Sequence, residues 1–568
     1  MTFRAPIGTD DFAQLRREGL VYVDKTSLIS DLVQDGARVV LLPRPRRFGK
    51  STNLSMLRYF FEHPPAGEDR ADLFEGLAVA QDPAAQAHAQ RYTVLAITLK
   101  EIKATSPAKF RSDMSSLLAA LYAEHRDALD HPSISDFERS TLRAILHRTA
   151  DQTTLERGLL DLSRMLHRAT GRPVVILVDE YDTPILAGWT HGYYAEVVDF
   201  FRIFLGSALK GNPSLYKGVL TGVLRIAKES IFSPGSRATM NHLAVYGLLR
   251  DRYSTAFGFT EAEVVTLAAQ ADASHLLPQI RRWYNGYRCG EATLYNPWSV
   301  LNFLSSEDFV PRPYWVNTST NDLVGQLITT GRDEISLDLE QLLTGGKVRK
   351  RIDDALVLPD IPHHPEGVWG LLLFSGYLKA VAVDRHGVVT LAIPNREVKQ
   401  AYEHLLQRWL HAASGGSLEV NSLLQAMLRG EVDAFESRLD TLVLQVLSSF
   451  DGRRTPEQVH HAFVLGMLVQ LRSTHRVESN PESGHGRADV LVIPRRVGRP
   501  GVVLEFKRLR PDETPETAMA SALRQIETMR HTTRLEDAGA NPVLRYGIVF
   551  DGKRVIVRGE RSVAHSPQ

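Results

Sequence analysis

Pro43-Arg-Pro-Arg-Arg-Phe-Gly-Lys-Ser-Thr52 joins a short apolar run, Val39–Leu42, to a segment in which Leu54, Leu57 and Phe61 recur at helical spacing. Strand, loop, Gly49-Lys50-Ser51 and helix is an arrangement in which backbone N–H groups and a helix N-terminus meet phosphate oxygens. In that geometry Lys50 would neutralise the β- and γ-phosphates of a nucleotide such as ATP, and the Ser51 hydroxyl would ligate Mg2+. Phe48, Gly49 and Thr52 would line the same anion cradle. A glycine usually stands five residues before the Gly-Lys pair. Here Arg44 stands there between Pro43 and Pro45, which donate no N–H, so Arg46 and Arg47 would supply charge in place of part of the cradle.

Val174-Val-Ile-Leu-Val178 is continuously apolar, as a strand buried on both faces should be, and it ends in Asp179-Glu180. An acidic pair at the carboxyl end of such a strand is placed to hold a nucleotide-bound Mg2+ (Asp179) and to polarise a water attacking the γ-phosphate (Glu180). A fourth apolar run, Gly218–Leu224, brings Thr221, Arg225 and Lys228 toward the same end, where a polar or cationic side chain such as Arg225 would sense the γ-phosphate.

A second constellation stands near the other end. Asp489 is followed sixteen residues later by Glu505-Phe-Lys507. Side chains alternate along a strand, so Glu505 and Lys507 would share one face while Phe506 enters the core. Carboxylates of Asp489 and Glu505 on adjacent strands would bind Mg2+, with the Phe506 carbonyl as a further ligand and Lys507 orienting or deprotonating water. Each pattern read alone has a plainer alternative: a basic turn before a helix, acids capping a helix, a salt-bridged sheet.

The elements that would position these residues fall into three predicted domains, 1–250, 251–425 and 426–568. In the first, strands at Val39–Leu42, Val94–Leu99, Val174–Val178 and Gly218–Leu224 alternate with helical segments such as Tyr194–Leu209, which predicts a three-layer α/β/α fold. The middle is mixed and mainly helical, with clusters Trp283–Tyr287, Leu294–Trp298 and Tyr314–Ser319 that would pack at a domain junction, act as a lid, or stack on bases. Ser414-Gly-Gly-Ser417 is the linker candidate. The third reads as a helix at Glu457–Leu471, strands at Ala488–Ile493 and Val502–Phe506, a helix at Thr517–Met529, and strands at Tyr546–Phe550 and Arg554–Val557.

A length of 568 residues fits three domains, and the net charge of +1 requires any nucleic-acid surface to be local. Between Gly486 and Arg510 seven Lys/Arg (Arg487, Arg495, Arg496, Arg499, Lys507, Arg508, Arg510) face two acids, an excess that would track a phosphate backbone or form a solvated basic loop. The one cysteine, Cys289, excludes an internal disulfide and a cysteine-rich zinc site. No run approaches the ~18–20 apolar residues of a membrane span and no signal-peptide pattern opens the sequence, so no membrane partner and a cytoplasmic location are expected. A homo-oligomer stays open.

Pro6-Ile-Gly8, Tyr22-Val-Asp-Lys-Thr26, Arg44–Ser51, Val178-Asp-Glu-Tyr-Asp182 and Gly218–Ser230 resemble the AAA-ATPase-like family, whose members often carry a C-terminal PD-(D/E)XK nuclease-superfamily domain. Trp283–Tyr287, Asn296–Val300, Leu371–Tyr377 and Ile393-Pro-Asn-Arg-Glu397 resemble it as well, so the likeness spans nearly the whole chain, and the glycine-poor loop is the family's own form. It implies an N-terminal P-loop NTPase domain with an added strand between loop strand and acidic strand, for which Val94–Leu99 is the candidate. It implies a C-terminal α/β restriction-endonuclease-like domain. In such nucleases the preceding helix can add a metal ligand, here His461 with Glu457 as the alternative, and Gln525 would orient the site. Many relatives carry a tyrosine beyond that glutamine, where this chain has Arg530 and His531. The expected function is an ATPase with cofactors ATP and Mg2+, coupled to Mg-dependent cleavage of nucleic acid, with DNA the expected substrate. The rival is a nucleotide-driven signalling switch with an inactive nuclease-like binding domain.

Overall fold

Val39–Pro43 (β1), Thr93–Thr98 (β2), Val174–Asp179 (β3), Leu215–Gly222 (β4) and Leu243–Val245 (β5) form one parallel sheet in the order β2-β3-β4-β1-β5. The structure is a computed structural model that describes residues 3–65, 67–224, 243–315, 338–339, 341–343, 345–352, 366–402, 417–448, 464, 467–479, 482–483, 486–487, 489–509, 513–528, 531–551 and 554–562. Every residue of β3 is buried, as its unbroken apolar sequence requires. Lys50–Phe61 (α1), Gln152–Thr170 (α2) and Tyr194–Leu209 (α3) pack on the sheet, and α2 and α3 also pack on each other. In α2 the buried Leu155, Leu159, Leu162 and Leu166 recur at helical spacing. Asp151 caps its first turn through Thr154 N, and Gly171 ends it in the left-handed conformation.

The strand inserted between the loop strand and the acidic strand is β4, not Val94–Leu99. Leu220 pairs with Leu41 of β1 on one side and with Val178 of β3 on the other, while β2 lies beyond β3 at the sheet edge. The reason is side-chain room. A Cβ on Gly218 would stand 2.9 Å from Leu209, and one on Gly222 would stand 2.5 Å from Asp182 Oδ1, so β4 suits a crowded central place.

The chain divides into two compact units, Met1–Asn317 with Arg349–Val398, and Thr318–Val348 with Lys399–Gln568. The middle helices Glu261–Gln270, Leu277–Tyr284 and Pro297–Leu304 (α4) therefore belong to the unit of the parallel sheet. Their core gathers Phe259, Tyr284, Tyr295, Val300 and Phe303, with Val21 and Val23 packed against it. Lys25 Nζ reaches both Glu263 oxygens at 2.7 and 2.8 Å, so the Tyr22–Thr26 motif serves this packing.

In the second unit His475–Ser479 (β6), Val490–Pro494 (β7), Gly501–Arg508 (β8), Val543–Asp551 (β9) and Arg554–Ser562 (β10) form a mixed sheet in that order, with only β8 and β9 parallel. Alternation along β8 is complete. Val502, Leu504 and Phe506 join a core with Leu423 and Met427 of Ser417–Arg429 (α5) and Phe435 and Leu439 of Val432–Ser448 (α6). Val503 joins Ile526 of Pro515–Thr528 (α7) and Leu535 on the opposite face. Of the expected helix over 457–471, residues 457–463, 465 and 466 lie outside the described ones, Val464, Met467 and Leu468 are helical, and the segment ends in the short 3₁₀ helix Val469–Ser473. Residues 414–416 of the linker candidate also lie outside, and Ser417 opens α5. Among the described residues no helix is long and apolar enough to cross a membrane.

Candidate nucleotide and metal sites

Gly49 sits at φ 81, ψ 23 immediately before α1, a left-handed conformation that glycine adopts without strain. A Cβ there would meet nothing within 4 Å, so the positive φ rather than crowding is what favours glycine here. Lys50 is 5% exposed, and its ammonium donates to Arg44 O at 3.2 Å and Pro45 O at 3.1 Å. Burial lowers its pKa, opposed by the charges of Glu180, Asp179 and Asp182. Ser51 Oγ donates to Asp179 Oδ2 at 2.6 Å. Asp179 Oδ1 accepts from Thr221 Oγ1 at 2.6 Å and from Glu180 N at 3.0 Å. The loop hydroxyl, the acidic strand and β4 thus meet on one carboxylate, with the oxygen set that a hard divalent cation takes.

Glu180 has φ 51, strained for a residue with a Cβ. The turn sends consecutive side chains apart. Tyr181 enters the core and donates to Leu224 O at 2.8 Å, while Glu180 stays in range of Lys50. Burial pushes the Glu180 carboxyl up, but Lys50 and Arg46 outweigh it and hold it below the usual range. Thr183 Oγ1 fixes its Oε2 at 3.0 Å. Asp182, which the sequence reading left without a role, accepts from Val223 N at 2.9 Å and Leu224 N at 2.7 Å and ties the acid turn to the end of β4.

The loop arginines separate. Arg44, in the usual glycine position, is wholly buried behind the loop, donating to Pro43 O, Tyr246 O and Tyr253 O. Arg46 lies within charge range of Lys50 and Glu180, and its buried Nε has no hydrogen-bond partner among the described residues. Arg47 turns to the middle segment, stacking 4.5 Å over Trp298 and donating to Tyr314 O at 2.5 Å. The Phe48 ring is buried and packs edge-on to Tyr287 at 5.1 Å, which leaves only its backbone to face an anion. Thr52 is half-buried in the first turn of α1. Arg225 and Lys228 lie outside the described residues.

In the second unit Asp489 stands one residue before β7, and its Oδ2 accepts from Phe506 N at 2.8 Å, which brings it beside Glu505. Glu505 is wholly buried. Burial first, then the Asp489 charge, raises its pKa, with Lys507 opposing. Lys507 Nζ lies 3.4 Å from Glu505 Oε1 and donates to Gln525 Oε1 at 2.8 Å, so the helix glutamine does hold the lysine. Glu505 Oε2 is buried with no hydrogen-bond partner among the described residues. A buried carboxylate oxygen left without a donor is costly, and a cation beside Asp489 would relieve it. Asp489 and Glu505 therefore fit a divalent ion. Among the described residues no three His, Cys, Asp or Glu side chains gather as a ready-made metal cage, and His461 lies outside them. His531 is wholly buried, with Nδ1 3.7 Å from Glu505 Oε2. Nothing in the sequence beyond its place a few residues after Gln525 singles it out.

Among the described residues, three of the basic side chains stand away from the acids. β7 and β8 are antiparallel, with Val490 opposite Leu504, so Arg495, Arg496 and Arg499 sit on the exposed turn at the other end of the strands. Glu505 stands four positions beyond Gly501, roughly 13 Å along a strand. Among the described side chains Lys507 is the cation of this group that reaches the acids and Arg508 points to the other face, while the Arg487 side chain and Arg510 lie outside the described ones.

An uncharacterized protein in the vnfD 5′ region of Azotobacter chroococcum mcd 1 is 27% identical over 570 residues, covering 97% of this chain and 98% of that protein. Residues 6–232 match the AAA-ATPase-like family, described as predicted AAA-ATPase, and residues 455–560 match the PD-(D/E)XK nuclease superfamily. The chain thus joins an N-terminal AAA-ATPase-like domain to a C-terminal domain of the PD-(D/E)XK nuclease superfamily.

Proposed function

We propose that the chain hydrolyses ATP at the loop of the first unit and uses that cycle to control cleavage of nucleic acid, with DNA the expected polymer, at the acids of the second. The observation that carries the reading is the 2.6 Å contact from Ser51 Oγ to Asp179 Oδ2, because it joins the end of the phosphate loop to the end of the acidic strand across β4. Lys50 would exchange its two loop carbonyls for phosphate oxygens. Arg46 would add a second positive charge on the same side. Glu180, kept ionised by Lys50 and Arg46, would accept a proton from the attacking water. Asp179 and Ser51 would hold one Mg2+, and Asp489 and Glu505 another. Mg2+ when bound supplies neutralisation of phosphate charge and a water of lowered pKa. Lys507, anchored by Gln525, would orient or deprotonate the attacking water in the second unit. A cytoplasmic location belongs to the same reading and is supported by a single, buried, free cysteine.

Lys50→Ala should abolish release of phosphate from ATP while circular dichroism stays unchanged. Asp489→Ala and Lys507→Ala should abolish Mg2+- or Mn2+-dependent cleavage of labelled DNA and RNA substrates but spare ATP turnover. Cleavage unchanged in both variants refutes the nuclease assignment. Phosphate release unchanged in Lys50→Ala refutes the ATPase. The rival switch draws on the absence of a three-ligand cage among the described residues. It predicts no Mn2+ binding that depends on Asp489 and Glu505, which calorimetric titration decides.

A further inference from the structure

Four middle motifs meet behind the phosphate loop, and ATP hydrolysis as read above gives them no task. Gly286, at φ 103, leaves room for Pro394 O, which would lie 2.4 Å from a Cβ there. Asn395 Nδ2 donates to Asn285 O at 2.9 Å. Asn296 caps α4 through Ser299 N and extends its Nδ2 to Arg46 O at 3.4 Å. Gly376 lets Pro45 approach, with 3.1 Å from a Cβ there to the proline ring. The loop therefore rests on a built platform within its own unit.

Two residues grip the same pair of segments in that platform. Arg47 spans Trp298 and the carbonyl of Tyr314. Glu397 spans the next residue of each, its Oε1 accepting from Ser299 Oγ and Trp315 N, both at 2.8 Å. Glu397 is wholly buried, and its Oε2 has no hydrogen-bond partner among the described residues. Burial lifts its pKa to about 8, so at neutral pH it acts mainly as a neutral acceptor. The chain passes into the second unit two residues after Trp315 and again one residue after Glu397.

We infer that Glu397 is a positioning residue for the phosphate loop: it staples together the two segments that seat Arg47, and it makes the backbone at Trp315 sense whether the loop is filled. The inference rests on the ATP reading above. Loop occupancy alters the seat of Arg47, and the staple passes that change to the points where the chain leaves the unit.

The test uses the full chain, a fluorescent ATP analogue for equilibrium binding, and hydrogen exchange with and without ATP and Mg2+. In the wild type, exchange at the Trp315 amide should slow about tenfold on ATP addition, which is ~1.4 kcal/mol. Glu397→Ala should lose that slowing and bind ATP about tenfold more weakly. Glu397→Gln, which keeps an acceptor for Ser299 and Trp315, should restore both. Exchange of Val174–Asp179 without nucleotide should be alike in all three, which separates positioning from general destabilisation. Equal defects in Glu397→Gln and Glu397→Ala overturn the inference. So does a Trp315 amide indifferent to ATP in a wild type that binds it, and that arm decides alone if Glu397→Ala does not fold. A wild type that binds no nucleotide overturns the ATP reading itself, and the inference falls with it.

Discussion

Asp182 carries a cost that its neighbours set. Its carboxyl is enclosed between the acid turn and the end of β4, and burial, assisted by the Glu180 charge and opposed by the N–H donors of Leu224 and Val223, raises its pKa from 3.8 to about 6. The folded protein then holds this proton more tightly than the unfolded chain does. The contribution of Asp182 to stability is therefore greatest below about pH 4, falls as pH rises through about 6, and is level above that. Asp182→Asn cannot titrate. The difference in unfolding free energy, wild type minus variant, should decline between pH 4 and 6 by roughly 3 kcal/mol at most and then stay constant. Urea titrations at four pH values measure it, and a difference that rises over that interval contradicts the assignment. Glu180→Gln should keep ATP bound but stop turnover, giving a trapped complex on a desalting column, while prompt release of ATP would deny Glu180 its role. The meeting of Lys50 and Ser51 with Asp179, and of Lys507 with Glu505, was legible in the sequence because strand and turn spacing sets it. Asp182, His531 and the task of Glu397 were not, because they depend on burial among residues distant in the chain.

The edge strand β10 shows how an element is finished by another. Its backbone N–H groups at Val555 and Val557 point away from β9, where an uncovered edge would invite another strand. Asp440 Oδ1 and Glu436 Oε2 accept them, both at 2.7 Å. The two acids stand four residues apart on α6, one helical turn, which matches the two-residue repeat of the strand they cover. The double variant Glu436→Ala, Asp440→Ala should cost roughly 1–3 kcal/mol per lost acceptor and promote self-association. Urea unfolding and sedimentation velocity report the two effects. A variant as stable and as dispersed as the wild type would mean that water serves the edge equally well. At this scale the sequence was readable where pattern is local. Tyr194–Leu209 has its expected bounds because its apolar residues recur at helical spacing up to Lys210. The place of β4 beside both β1 and β3 was not readable, because an apolar run marks a strand without naming its neighbours, and the decisive contacts at Gly218 and Gly222 come from distant side chains. The middle aromatics Tyr284, Tyr287 and Tyr295 pointed to packing more than to bases by their types, and their burial assigns them to packing.

For the whole molecule, two compact units in one chain imply that heat need not unfold everything at once. On the proposed function each unit would have its own ligand, so each transition should answer to a different addition. A ligand that binds only the folded form stabilises it by RT ln(1 + [L]/Kd), about 2.7 kcal/mol at a hundredfold excess over Kd. ATP with Mg2+ should raise the transition of the unit holding Lys50 by several degrees, and Lys50→Ala should erase that shift. Mn2+ without nucleotide should raise the transition of the unit holding Asp489 and Glu505, and Asp489→Ala should erase that one. Calorimetric scans of the wild type and the two variants separate the effects, because each variant serves as the control for the other site. An ATP shift that survives in Lys50→Ala would place nucleotide elsewhere in the chain. An Mn2+ shift that survives in Asp489→Ala would deny the second unit its metal, leaving Glu505 Oε2 a buried oxygen whose cost another partner must offset.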